Sequence, residues 1–126
     1  MLEDLDTKSA VPLYEQIATR LKAAVATGEL RAGDALPSVR QLAGRLRINP
    51  ATVTQAYRAL EGEGFAESRQ GAGTYVKSVS TDVRSRERIT QARRLVRDML
   101  AEAARFGLSR EQLNEAIRHE LHGDSK

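Results

Sequence analysis

The side chains that usually carry chemistry are scarce in this chain of 126 residues. Cysteine is absent, which removes thiolate nucleophiles, disulfides and cysteine metal sites together and suits a reducing compartment. The two histidines, His119 and His122, sit near the C-terminus with Glu115 one helical turn ahead. No further ligand completes a metal set there, so an ordinary exposed helix end is expected, with no metal and no cofactor. Phosphate loops of the GxxxxGK[ST] type are missing, as are a nucleophile–base pair and a carboxylate pair, and the chain does not read as an enzyme.

What remains is arginine. Four lysines, Lys8, Lys22, Lys77 and Lys126, leave sixteen arginines among the 20 basic side chains, against 17 acidic ones and a net charge of +3. A planar guanidinium forks onto phosphate and onto guanine edges as an ammonium cannot, so a polyanionic partner is the first expectation. A hydrophobic share of 40% with 29% charged residues is that of a soluble globular protein, and the length allows one domain with a short appendage. No apolar run approaches the roughly 20 residues that span a bilayer, and the acidic stretch from Met1 to Ala10 is no secretory signal. A cytoplasmic protein without a membrane partner is expected.

The elements that must position these arginines follow from pattern. Residues 1–11, with Glu3, Asp4 and Asp6 against Lys8, show no periodicity and read as a loose arm ending at Pro12. Leu13, Ile17, Leu21, Ala24 and Val25 recur at helical spacing until Gly28, predicting a first helix from about Pro12 to Thr27. Leu30 to Pro37 reads as irregular. Ser38 then caps a short helix to about Leu46, with Val39, Leu42, Ala43 and Leu46 inward. Asn49 before Pro50 is an N-cap followed by proline at the first helical position, opening a third helix to about Glu63 with Val53, Ala56, Tyr57 and Leu60 inward.

Gly64 ends that helix. Phe65 to Arg69 and Thr74 to Lys77 read as strands of a β-hairpin around Gln70-Gly71-Ala72-Gly73. Ser78 to Thr81 is a polar linker and the expected boundary. Beyond it, Ile89, Ala92, Val96, Met99 and Ala103, flanked by Leu95 and Leu100, stripe a helix from about Asp82 to Arg105, capped by Gly107. Ser109 with Gln112 is a capping box opening a last helix whose Leu113, Ala116, Ile117 and Leu121 share one side.

Three helices with a tight Arg47-Ile48-Asn49 connection, closed by a hairpin, describe a winged helix-turn-helix: a mostly α fold with a small β-hairpin, followed by two further helices. In that geometry the start of the third helix enters the major groove and the wing follows the backbone or a minor groove. The residues at that start are small and polar: Asn49, Ala51, Thr52, Thr54 and Gln55.

Several motifs agree in order and spacing with one family. Pro12-Leu13-Tyr14 with Gln16-Ile17, Gly28-x-Leu30-x-x-Gly33, Leu36-Pro37-Ser38-x-Arg40-x-Leu42-Ala43, Asn49-x-x-Thr52-Val53, Ala56-Tyr57-x-x-Leu60-Glu61-x-x-Gly64 and Gly71-x-Gly73-Thr74-Tyr75-Val76 resemble the DNA-binding domain of GntR-family regulators. The resemblance implies a double-stranded DNA operator as partner. It places Arg40 on the DNA backbone or a base, and Asn49, Pro50, Ala51, Thr52 and Thr54 on the DNA-facing side of the third helix. Several relatives carry arginine where Pro50 and Thr54 stand, which leaves base readout to Thr54, Gln55 and Arg58. Thr52 has two open roles, a phosphate bond or capping of its own helix. Arg69, Gln70 and Gly71 occupy the wing tip, where glycine serves the turn, the minor groove or both. Tyr57, on the apolar face, reads as core rather than as a base stacker.

The two-helix tail is similar to that of the YtrA-type subfamily, in which such a tail serves dimerisation. A homodimer held through Ile89, Ala92, Val96, Met99, Ala103, Leu113 and Ile117 is therefore expected, with a winged domain over 12–77 and a tail over 78–126. Lys77, Arg84, Arg86, Arg88, Arg93, Arg94 and Arg97 form either a solvated face or, from Arg84, Arg86 or Arg88, an accessory phosphate contact. A repressor on a palindromic operator is the leading reading, and a winged-helix module that docks a protein is its rival. Nothing in the sequence names an operator sequence or a small-molecule effector.

Overall fold

The computed structural model describes Leu2 and residues 5–123. Glu3 and Asp4 of the expected arm, and residues 124–126 of the tail, lie outside the described residues. In chain order the elements are α1 (Leu13–Thr27), α2 (Val39–Leu46), α3 (Pro50–Gly62), the antiparallel pair β1 (Ala66–Arg69) and β2 (Gly73–Val76), α4 (Thr81–Arg105) and α5 (Arg110–Gly123). The packing resolves two compact units, one running to Ile89 and the other starting at Thr90. The sequence boundary was drawn at 77/78. The first turns of α4 go with the winged unit because Val79 and Val83 pack on its core and the Arg88 Nε donates to the Ala26 carbonyl at 2.9 Å.

The core of the first unit forms where the inward faces of three helices meet the hairpin: Ile17, Leu21 and Val25 of α1, Leu42 and Ala43 of α2, Val53, Ala56, Tyr57 and Leu60 of α3, with Phe65, Ala66 and Val76. Ile17 and Val53 are wholly buried. Capping sets the helix limits. Ser38 accepts from the Gln41 amide while the Gln41 side chain accepts from the Ser38 amide, a complete capping box. Ser109 and Gln112 repeat it at α5, and the Ser80 hydroxyl accepts from the Val83 amide at the start of α4.

One expectation needs correction. The described residues before Pro12 are not a loose arm: the Gln16 amide group accepts from the Asp6 N–H and donates to the carbonyls of Asp6 and Val11, while Leu2 and Leu5 pack against the core. One side chain thus satisfies the backbone of a segment without secondary structure. The stretch before Pro37 holds no helix or strand, as expected, yet it is anchored. Gly33 donates to the Val76 carbonyl, Val76 to Asp34 and Leu36 to Thr74, with Ala35 bridged to Tyr75, so this segment lines the free edge of β2.

In the second unit Ala103 is buried, and Leu113 and Ile117 are half-buried. Ala116 and Leu121, expected on the same inner side, are exposed, Leu121 by 72%, so only Leu113 and Ile117 of that side are shielded. Ile89, Ala92, Leu95, Val96, Met99 and Leu100 of α4 are exposed as well.

Candidate nucleic-acid interface

The turn between α2 and α3 places the interface. Arg47 ends α2 in a left-handed conformation, φ 56° and ψ 50°, its N–H donating to the Ala43 carbonyl, and the Ile48 N–H reaches the same carbonyl at 3.1 Å. That reversal sets Asn49 at the N-cap, where its Oδ1 accepts from the Ala51 amide at 2.9 Å, with Pro50 in the first helical position. The cap comes from Asn49, which leaves the Thr52 side chain without that duty.

With Val53, Ala56, Tyr57 and Leu60 buried, the opposite side of α3 is presented outward: Asn49, Pro50, Ala51, Gln55 and Arg58 are exposed, Thr52 and Thr54 half-buried. A hydrogen bond 2.7 Å long, from the Tyr57 hydroxyl to the Pro37 carbonyl, ties α3 to the residue ahead of the α2 cap. Arg40, in the first turn of α2, is exposed. Burial pushes the Tyr57 phenol up to about 12, Arg45 pulling weakly the other way. Tyr57 is a core residue, as its place on the apolar face implied.

The wing closes where Ala72 donates to the Arg69 carbonyl at 2.9 Å, with Gly71 at the third turn position and a φ of 76° that side-chain-bearing residues resist. Arg69, Gln70 and Gly71 are exposed at this tip. The Arg69 guanidinium lies 4.2 Å from the centre of the Tyr75 ring and 3.3 Å from Glu67, which holds it on the wing rather than free in solvent. Nearby acids are likewise engaged: Glu61 accepts from the Ser68 hydroxyl and Glu63 pairs with Lys22 at 2.9 Å.

The structure thus brings Asn49, Pro50, Ala51, Gln55 and Arg58 onto one exposed helix side, with Arg40 on α2 and Arg69, Gln70 and Gly71 on the wing. The Arg88 Nε donates to the Ala26 carbonyl of α1, and Arg88, Arg84 and Arg86 are all exposed. Sequence reasoning passed over Arg45 and Arg47, exposed arginines at the end of α2 just ahead of α3. The signal was an Arg-x-Arg pair immediately before the Asn-Pro cap. Among the described residues no three His, Cys, Asp or Glu side chains gather as a metal set, and no helix is long and apolar enough to cross a membrane.

Comparison with known proteins agrees with this geometry. The model for bacterial regulatory proteins of the gntR family matches residues 13–76. The chain is 35% identical to the HTH-type transcriptional repressor YtrA of Bacillus subtilis over 97% of its own length and 93% of the relative's. Among solved structures, a GntR family transcriptional regulator from Listeria monocytogenes superposes with a TM-score of 0.67 at 28% identity, covering 88% of this chain and 96% of that one. YtrA from Sulfolobus acidocaldarius, a GntR-family transcription factor, does so with 0.56 at 31% identity, covering 98% and 99%. With its winged helix-turn-helix and a likeness to YtrA-type members along nearly its whole length, the chain belongs to the GntR family of bacterial regulatory proteins, which are DNA-binding transcription regulators.

Proposed function

We propose that the chain is a transcription repressor that binds a palindromic operator as a homodimer, reading bases with the start of α3 and gripping the backbone with Arg40 and the wing. The observation that carries this reading is the outward side of α3, whose first turn is capped by Asn49 and backed by the buried Val53, Ala56 and Tyr57 while Asn49, Pro50, Ala51 and Gln55 stay exposed. A rigid, apolar-backed helix start flanked by arginines is what major-groove entry requires. Thr54, Gln55 and Arg58 act as readers, Pro50 and Ala51 allow close approach, Asn49 and Thr52 contact the backbone, and Arg69, Gln70 and Gly71 meet the backbone or the minor groove. In the tail, the exposed stripe through Ile89, Ala92, Val96 and Met99 is the surface that a second copy covers, with the buried Ala103 and the half-buried Leu113 and Ile117 behind or beside it. Twofold pairing would set two readers in successive major grooves about 34 Å apart.

The test starts from a random pool of duplexes. Full-length protein should enrich an inverted repeat, affinity for it should fall steeply with salt as displaced counterions dictate, and Arg40→Ala should weaken binding by about 1–3 kcal/mol. Enrichment of no repeat, with affinity indifferent to salt, would favour a protein-docking module instead.

A further inference from the structure

The winged unit contains a cavity of about 580 Å³ that the proposed DNA interface does not use. Its wall is built from Leu21 of α1, Leu42 and Leu46 of α2, Leu36 from the segment ahead of α2, and Leu5 from the arm. Protein interiors close to crystal-like density, and a space of this size falls in the range of roughly 300–1,000 Å³ that small-molecule sites occupy. The arm does not fill it: Leu2 and Leu5 form part of the wall, held there by the bonds from Gln16 to Asp6 and Val11.

The wall is apolar but for Thr7 of the arm and Arg45, and Arg45 is the one charged side chain among the residues that line it. Among the described residues Arg45 pairs with no acid and donates no hydrogen bond. Its one electrostatic neighbour of note is the Tyr57 phenol, whose hydroxyl is already committed to Pro37, another wall residue. An apolar slot with an unengaged guanidinium at its edge is complementary to a ligand with a hydrocarbon body and a single anionic end. A carboxylate suits the guanidinium fork best, two parallel N–H···O bonds in one plane.

From this complementarity we infer that the cavity is a binding site for an amphipathic carboxylate, its chain among the leucines and its head on Arg45. The site meets the candidate nucleic-acid interface at Arg45 alone, and its test needs no DNA. Isotope-labelled full-length protein is titrated, below micelle-forming concentration, with decanoate, decanol and decylammonium while amide shifts are followed. Decanoate should saturate shifts at Leu21, Leu42, Leu46 and Ile48 and bind about tenfold more tightly than decylammonium, as a charge-assisted contact predicts. Arg45→Gln, at an exposed position that leaves the core intact, should remove that preference without changing decanol binding. Leu46→Trp, which fills part of the slot, should weaken decanoate and decanol alike. Equal affinity for the three probes, or shifts confined to the exposed apolar side of α4, would overturn the assignment.

Discussion

The winged unit and the tail solve the burial of apolar side chains in opposite ways. The first folds three helices and a hairpin around a closed core in which Ile17, Val53 and Ala56 are wholly out of solvent. Among its described residues the second has a single buried apolar one, Ala103, and leaves Val96 47%, Met99 36% and Phe106 74% exposed. Similar apolar periodicity therefore means different things in the two regions: in α1 and α3 it describes a core completed within the chain, in α4 a face that the chain does not complete. Isolated exposed hydrophobics are ordinary, but a stripe along one helix marks a surface made for contact.

The widest separation between the regions should come from truncation. Ile17→Ala should cost the winged unit about 2–5 kcal/mol through lost burial and a residual cavity, read by urea denaturation, whereas Leu121→Ala should stay within about 0.5 kcal/mol. Equal costs would mean that the tail has a core of its own. Next, Val96→Asp combined with Met99→Asp should convert the proposed dimer to monomers in sedimentation while the winged unit keeps its thermal transition. If the parent protein is already monomeric at micromolar concentration, the stripe has another occupant.

Two smaller effects sharpen the account of the winged unit. Tyr57→Phe should lose about 1 kcal/mol with the bond to Pro37. Because the phenol titrates near 12 in the fold and near 10 when unfolded, its contribution is complete below pH 10 and drains away as pH rises toward 12. The variant should therefore show a flatter stability profile across that window. Arg47→Gly should stabilise the fold by about 0.5–1 kcal/mol in thermal melts, since φ of 56° is a conformation glycine adopts freely. A loss instead would show that the Arg47 side chain does more for the fold than its strained backbone takes away.

What the sequence made legible was local. Asn49 with Pro50, Ser38, and Ser109 with Gln112 each act within one turn of helix, and each stands where its type and spacing put it. What escaped was long-range or conformational. Gln16 meets Asp6 across ten residues with no periodic mark, and Gly33 to Leu36 pair with β2 through backbone alone, without alternation to betray a strand. The candidate interface divides along the same line. The composition of the first turn of α3 could be read directly, but the tethering of Arg69 to Tyr75 and the duty of Arg88 at α1 depend on contacts that only the fold creates.

The engagement of Glu61, Glu63 and Glu67 by Ser68, Lys22 and Arg69 also bears on how an approaching polyanion experiences the molecule. Surface pairs of this kind add little to stability, but they decide where negative potential survives. A formal net charge of +3 spread evenly would give a faint attraction. With Glu63 and Glu67 paired to Lys22 and Arg69, and Arg40, Arg45, Arg47 and Arg58 exposed on α2 and α3, the attraction is weighted toward these two helices. On the proposed reading, this bias would turn a duplex toward α3 before any base is touched.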